Sequence, residues 1–143
     1  MQIVRAEPTD APALYALLHR SGLPQDGVAE HLATALIAYD GAAVVGCAAL
    51  EVYGTHALLR SVAVDAPTRG QGWGQQLTQA ALDLARSVGV HDVYLLTETA
   101  SAFFPRFGFR PIERAAVPVA VQQSAEFTYA CPASALVMVT TIA

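Results

Sequence analysis

The sequence predicts an α/β fold over residues 1–143, a mixed sheet of six to seven strands with helices on both faces. Three observations carry that expectation. An apolar run, Leu58-Leu59-Arg60-Ser61-Val62-Ala63-Val64, leads into a glycine-rich turn, Arg69-Gly70-Gln71-Gly72-Trp73-Gly74, and then into Leu77, Ala80, Ala81, Leu84 and Val88 at helical spacing. Short apolar runs and helical patterns follow one another along the whole chain in the order β-α-α-β-β-β-α-β-α-β-β. At 143 residues, 54% hydrophobic and only 14% charged, the chain can bury one sizeable core.

The elements follow in order. Gln2 to Ala6 reads as a first strand. Thr9 or Asp10 can cap a helix that carries Leu14, Leu17 and Leu18 on one face, with Pro12 tolerated in the first turn. Ser21-Gly22-Leu23-Pro24 ends it, and a weakly patterned second helix spans Gly27 to Ala35. Leu36 to Tyr39 and Val44 to Leu50 form a hairpin around Asp40-Gly41, a pair suited to a type I′ turn. A second turn, Tyr53-Gly54-Thr55-His56, enters the Leu58 to Val64 strand. The helix after the glycine turn runs to Val88 and stops at Gly89. Val93 to Leu96 is a buried strand, Ala100 to Phe107 a short helix, and Phe109 to Ile112 the start of another strand. Val117 to Phe127 forms a helix or ordered loop, and Ala135 to Thr140 the final strand.

Composition excludes several classes of function. The net charge is −4 and the eight basic residues, all arginine, are scattered, so no basic face exists for nucleic acid. Cys47 and Cys131 match neither a disulfide framework nor a zinc spacing, and His19, His31 and His91 are expected at the surface, outside metal-ligand spacing. Met1-Gln2-Ile3-Val4-Arg5 lacks the form of a signal peptide, and no apolar run reaches membrane-spanning length. The expected setting is the cytoplasm, as a monomer or homodimer with no metal.

A strand, a glycine turn and a helix N-terminus in succession make an anion site. The first-turn N–H groups lack intrahelical partners, and the helix dipole places about half a positive charge there. Glycines at 70, 72 and 74 let backbone approach a phosphate. The chain has no lysine, which rules out a P-loop, and its G-x-G-x-G spacing breaks the dinucleotide fingerprint.

What remains, R-x-x-G-x-G over residues 69 to 74 after Val62-Ala63-Val64-Asp65, resembles the acetyl-coenzyme A signature of the GNAT superfamily of N-acetyltransferases. Ala102-Phe103-Phe104-Pro105-Arg106-Phe107-Gly108-Phe109 is similar to that superfamily's A-x-x-F-Y-x-x-L-G-F segment. Four further stretches resemble GNAT proteins associated with bacterial arsenic resistance: Leu50 to Gly54, Leu59 to Asp65, Ser124-Ala125-Glu126-Phe127 and Cys131 to Ala135. Relatives in that wider group acetylate the amino group of arsinothricin.

The resemblance implies that the sheet splays between its fourth and fifth strands, at Ser61 to Val64 and Tyr94 to Thr97, and that acetyl-CoA lies in the gap. Val62, Ala63 and Val64 would pair with the pantetheine arm, with a backbone N–H near Val62 polarising the thioester. Arg69, Gly70, Gln71, Gly72, Trp73, Gly74 and Gln75 would hold the pyrophosphate, and Phe103 and Phe104 would pack beside the arm. Many family members carry a tyrosine at the position of Phe104 as proton donor to the leaving thiolate; phenylalanine has no proton to give.

Acetyl transfer to an amine also needs a base. Glu51 and Glu98 are the candidates, with His56 a more solvated third. Glu51 reads two ways, as a base in the acceptor cleft or as the partner of Arg60 on the neighbouring strand, and Glu98 reads as a base or as a helix cap together with Thr97 and Thr99. Arg60 in turn reads as a fork for an anionic acceptor or as half of that ion pair, while Tyr53 and Phe127 read as acceptor walls or as core. The expectation is an acetyl-CoA-dependent N-acetyltransferase acting on a small, amino-acid-like amine. A CoA-binding sensor and an enzyme acting on peptide or protein amines are the alternatives.

Overall fold

Two strands buried on both faces build the centre of the fold. In the computed structural model, which describes residues 2–142, strand β2 (Ala35–Asp40) and strand β3 (Ala43–Tyr53) are apolar on both faces. Leu36, Ala38, Ala48 and Leu50 point to one side, toward helix α2 (Trp73–Ser87) and its Leu77, Ala81, Leu82 and Ala85. Ala35, Ile37, Cys47 and Ala49 point to the other, where helix α1 (Ala11–Arg20) buries Leu14, Leu17 and Leu18. Met1, part of the amino-terminal reading, lies outside the described residues.

The sheet has seven strands. With β1 (Gln2–Arg5), β4 (His56–Val64), β5 (Asp92–Thr97), β6 (Arg110–Pro111) and β7 (Leu136–Thr141), its order is β1-β2-β3-β4-β5-β7-β6. All pairings are antiparallel except β4 with β5. A third apolar cluster joins Leu58, Tyr94, Val137 and Val139 to Val121 of helix α3 (Val119–Gln122). The mixed sheet with helices on both faces is therefore as the sequence predicts.

The parallel pair is short. Residues His56, Ala57 and Leu58 of β4 register with Asp92, Val93 and Tyr94 of β5, and there the ladder ends. Beyond it β4 stays paired with β3 and β5 with β7, so two facing strand edges diverge. A bulge accompanies the parting: Ala49 registers with Arg60 and Cys47 with Ala63, leaving Ser61 and Val62 opposite Ala48. Ser61 has φ 59°, in the left-handed region. The inserted residue bends the strand and takes backbone out of the ladder.

Several local expectations need correction. The β2–β3 hairpin forms, but its loop is Gly41-Ala42 with Gly41 alone at positive φ (60°), the sign pattern of a type II′ turn rather than type I′. A shift in register between Ala38 and Tyr39 moves the turn one residue onward. Asp10 does not cap α1 through its side chain; its Oδ2 accepts from the Glu7 N–H at 2.7 Å, closing a capping box around a 3-10 turn, Pro8–Asp10. The second helix is a 3-10 segment, Ala29–Thr34, kinked at His31. The helix expected from Ala100 to Phe107 shrinks to a 3-10 turn, Phe104–Phe107, since Pro105 lacks a donor. The Phe109 to Ile112 strand reduces to β6, and the 117–127 stretch resolves into α3 followed by a π-helical turn, Glu126–Ala130.

Helix α2 approaches β3 most closely at Gly46. A Cβ there would lie 2.8 Å from Leu77 Cδ1 and 3.2 Å from the Ala63 carbonyl oxygen. Gly46→Val should therefore lower stability by about 1–3 kcal/mol through overpacking. Urea denaturation measures this; a variant as stable as wild type would show that α2 does not seat on β3 at this contact.

Candidate active site

A cleft of about 850 Å³ fills the space between the diverging strands. At its outer end sits the glycine loop. Gly72, at φ 86°, is the N-cap of α2 and offers no capping side chain. The first intrahelical bond is Gln76 N–H to the Gly72 carbonyl at 3.1 Å, so the N–H groups of Trp73, Gly74 and Gln75 are left without intrahelical acceptors. Nothing lies within 4 Å of a Cβ built at Gly70 or Gly72. Gly74 differs: its φ is not positive, and an added Cβ would meet the Phe103 ring at 3.7 Å, an ordinary contact. Arg69 Nε donates to the Val64 carbonyl at 2.8 Å, which holds the guanidinium stem beside the loop.

Of the cofactor residues expected from sequence, Val62, Ala63, Val64, Arg69, Gly70, Gly72, Trp73, Gly74, Gln75, Phe103 and Phe104 line the cleft; Gln71 does not. Phe103 and Phe104 meet edge to face at 5.1 Å, and Phe104 meets Phe109 in the same way at 5.7 Å. Phe104 is buried among core residues, with no hydroxyl to offer.

Charge collects at the inner end. Arg60, its side chain 0% exposed, is held on all sides. Nη1 donates to Glu51 Oε2 at 2.9 Å and to the Asp26 carbonyl, Nη2 to the Pro24 carbonyl at 3.1 Å, and Nε to Ser61 Oγ at 3.2 Å. Glu126 Oε2 stands 3.5 Å from the same Nε. The ion-pair reading is thus the one the structure forms, and the expectation of Arg60 as an open fork is corrected: its N–H groups already serve protein oxygens. Glu51 is sealed behind Arg60, outside the cleft lining, and accepts from the Tyr53 hydroxyl, while His31 Nε2 approaches its Oε1 at 3.3 Å. His31 is therefore part of this cluster rather than a simple surface residue.

Other expectations also change. Tyr53 and Phe127 are not acceptor walls: neither lines the cleft, and both pack in the cluster around Leu58, with the Arg114 guanidinium 5.3 Å over the Phe127 ring. Glu98 lies exposed in the cleft lining and caps no helix; Thr97 Oγ1 accepts from the Ala100 N–H at 3.0 Å across a bend, and the turn that follows starts at Phe103 without a side-chain cap. His56 is no loop residue; it begins β4, and its Nδ1 lies 3.1 Å from Asp92 Oδ2.

A further carboxylate, not among those expected from sequence, stands in the site. Glu126 is buried, lines the cleft and belongs to the Glu51–Arg60 cluster. Burial pushes its carboxyl up to about 7; the Arg60 charge opposes that rise and the Glu51 charge adds to it. Its sequence signal was an acid among weakly patterned residues, legible only as part of a similar stretch. Cys131, also in the lining, is pushed up to about 11 by burial first and by the Glu126 charge second.

With this geometry in view, residues 31–111 match the family model described as "Acetyltransferase (GNAT) domain". The chain belongs to the GNAT acetyltransferase family. An uncharacterised N-acetyltransferase from Chlorobaculum tepidum is 33% identical over 94 residues, 65% of this chain and 60% of that protein. An amino-acid acetyltransferase from Mycobacterium tuberculosis is 42% identical over 72 residues, 49% of this chain and 40% of that one. The matched stretches thus span 60% or less of these curated relatives. A Mycobacterium tuberculosis protein crystallised with CoA shares the fold, with TM-score 0.82 at 24% identity over 100% of both chains. No group of three or more potential metal ligands occurs among the described residues of this GNAT chain, and no described helix is long and apolar enough to cross a membrane.

Glu126 links pH to stability. Its folded-state value, about 7, lies above the ordinary 4.5, so the folded protein keeps a proton that the unfolded chain releases. Stability therefore falls as pH rises between those values, by up to about 3 kcal/mol. Glu126→Gln, neutral at every pH, should melt several degrees above wild type at pH 8 and show no such gain at pH 4.5. An equal difference at both pH values would mean that Glu126 does not hold its proton in the fold.

Proposed function

We propose that this chain is an acetyl-CoA-dependent N-acetyltransferase acting on the primary amine of a small acceptor, with residues 1–143 working as one domain. The observation that carries the reading is the cleft at the β4–β5 parting, which joins a helix N-terminus at one end to a buried carboxylate at the other. The residues present suit CoA: two unpaired strand edges, an uncapped helix start and an arginine beside it. When bound, acetyl-CoA supplies an acetyl thioester. The N–H groups of Trp73, Gly74 and Gln75 and the guanidinium of Arg69 would hold the pyrophosphate. Backbone groups of Val62, Ala63 and Val64 would take the pantetheine amides, and the N–H freed near the bulge at Val62 would polarise the thioester carbonyl. Phe103 and Phe104 pack along that arm and exclude water from it.

The finer reading is an amino-acid-like acceptor, arsinothricin among the candidates. It draws support from the likeness to the mycobacterial amino-acid acetyltransferase and from the sequence resemblance to arsenic-associated GNAT proteins. Two unpaired cysteines suit a reducing, cytoplasmic setting. A CoA sensor without turnover is the rival, favoured by phenylalanine at position 104. Release of free thiol from acetyl-CoA across a panel of amines, amino acids and peptides tests all of these. No thiol release with any amine, alongside intact CoA binding, would replace the enzyme with the sensor.

The cofactor assignment makes two predictions. Gly72→Val forces a branched residue into a left-handed backbone and sets its side chain in the open space before α2. Affinity for acetyl-CoA should drop at least about tenfold, or 1.4 kcal/mol, in a folded variant; calorimetry showing wild-type affinity would remove the loop from the site. Phe104→Tyr should fold and retain activity, whereas Phe104→Ala should lose about 3–5 kcal/mol of stability or bind CoA more weakly. An alanine variant matching wild type in both respects would take Phe104 out of the cofactor arm.

A further inference from the structure

The cleft's inner end has a charge imbalance. Two carboxylates, Glu51 and Glu126, share the single guanidinium of Arg60. Glu51 holds the closer position, 2.9 Å against 3.5 Å, and lies outside the cleft. Glu126 is the buried carboxylate that faces the ligand space, and the exposed Glu98 lines the same cleft. Among the described residues, the cleft's arginines are Arg60, already bonded to protein oxygens, and Arg69, anchored at the glycine loop. An anion arriving here would meet carboxylates and an engaged guanidinium. A cation would complete the site.

We infer that Glu126 receives the acceptor's ammonium and takes its proton, and that this end of the cleft prefers amines without a neighbouring carboxylate over α-amino acids. The inference rests on the acetyltransferase reading alone: it names that reading's base and, for the acceptor, stands against the amino-acid-like class, so the test below decides between the two. Glu51 and Arg60 are positioning residues in this scheme: their pair fixes the guanidinium that holds Glu126. The proton balance closes. An ammonium gives one proton to Glu126 and becomes a neutral amine. Its nitrogen lone pair bonds the acetyl carbon while the carbon–sulfur bond breaks and the electron pair stays on sulfur. The second nitrogen proton goes to that sulfur, and Glu126 releases the first to solvent through the cleft mouth.

A carboxyl held near 7 suits the task, being a stronger base than an ordinary carboxylate yet ionised in mildly alkaline solution. Burial sets its titration first, with the Arg60 charge on β4 opposing the rise and the Glu51 charge on β3 adding to it; His31 lies against Glu51, and Cys131 and Glu98 share the cleft lining. Activity should rise as pH increases through that value.

The test uses the full chain with acetyl-CoA and two acceptors, L-alanine and L-alaninol, whose amines are of similar basicity and which differ in the carboxylate. At pH 8, kcat/KM for the amino alcohol should exceed that for the amino acid at least about tenfold. Glu126→Gln should lose about 100-fold in kcat with the amino alcohol, keep wild-type acetyl-CoA affinity and melting behaviour no worse than wild type, and lack the rising pH limb near 7. Glu126→Asp should recover part of the rate. Glu126→Gln within threefold of wild type, or an unchanged pH limb, overturns the base assignment. A preference for L-alanine overturns the acceptor class. Thiol release by wild type with neither acceptor nor any other amine would instead bring down the acetyltransferase reading, and this inference with it.

Discussion

Everything at this site depends on β4 leaving β5 after three registered pairs. Parallel strands that stay together bury their edges in the ladder. Here the fourth strand keeps its antiparallel partner β3, the fifth keeps β7, and the two inner edges separate. The bulge opposite Ala48 turns β4 away, and Ser61 accepts a left-handed backbone for it. Polar backbone would be costly to bury unpaired, so an edge opened inside a domain calls for a ligand or water to pair with it.

The same departure places Arg60, the residue just before the bulge, against the loop 24–26, Glu51 and Glu126. A charge this deeply buried is tolerated because carboxylates, carbonyls and a hydroxyl surround it. That arrangement leaves Glu126 as the least compensated member, since Glu51 holds the nearer place on the guanidinium. Strand geometry and electrostatics are therefore one feature: the bend that opens the cleft also sets a partly neutralised acid at its inner end. The outer end works independently, through the uncapped start of α2 and the open space at Gly70 and Gly72.

The legible parts of this protein were those governed by local rules. The two apolar runs of the hairpin at 36–39 and 44–50, the strand–glycine–helix succession from 58 to 88, and the R-x-x-G-x-G spacing all depend on neighbours a few residues apart, and each stands in the structure. The residues around the inner cleft were harder. Glu51, Tyr53 and Phe127 each read two ways, facing an acceptor or packed within the protein, and each packs away from the cleft.

Sequence by itself determined the α/β order and the glycine loop ahead of a helix start, because period and glycine placement are properties of adjacent positions. Only the tertiary structure decided which acid faces the ligand. Glu51, Arg60 and Glu126 come from β3, β4 and a π-helical turn more than sixty residues further on. Their protonation and pairing follow from burial and from distances across the fold, quantities that no spacing along the chain contains.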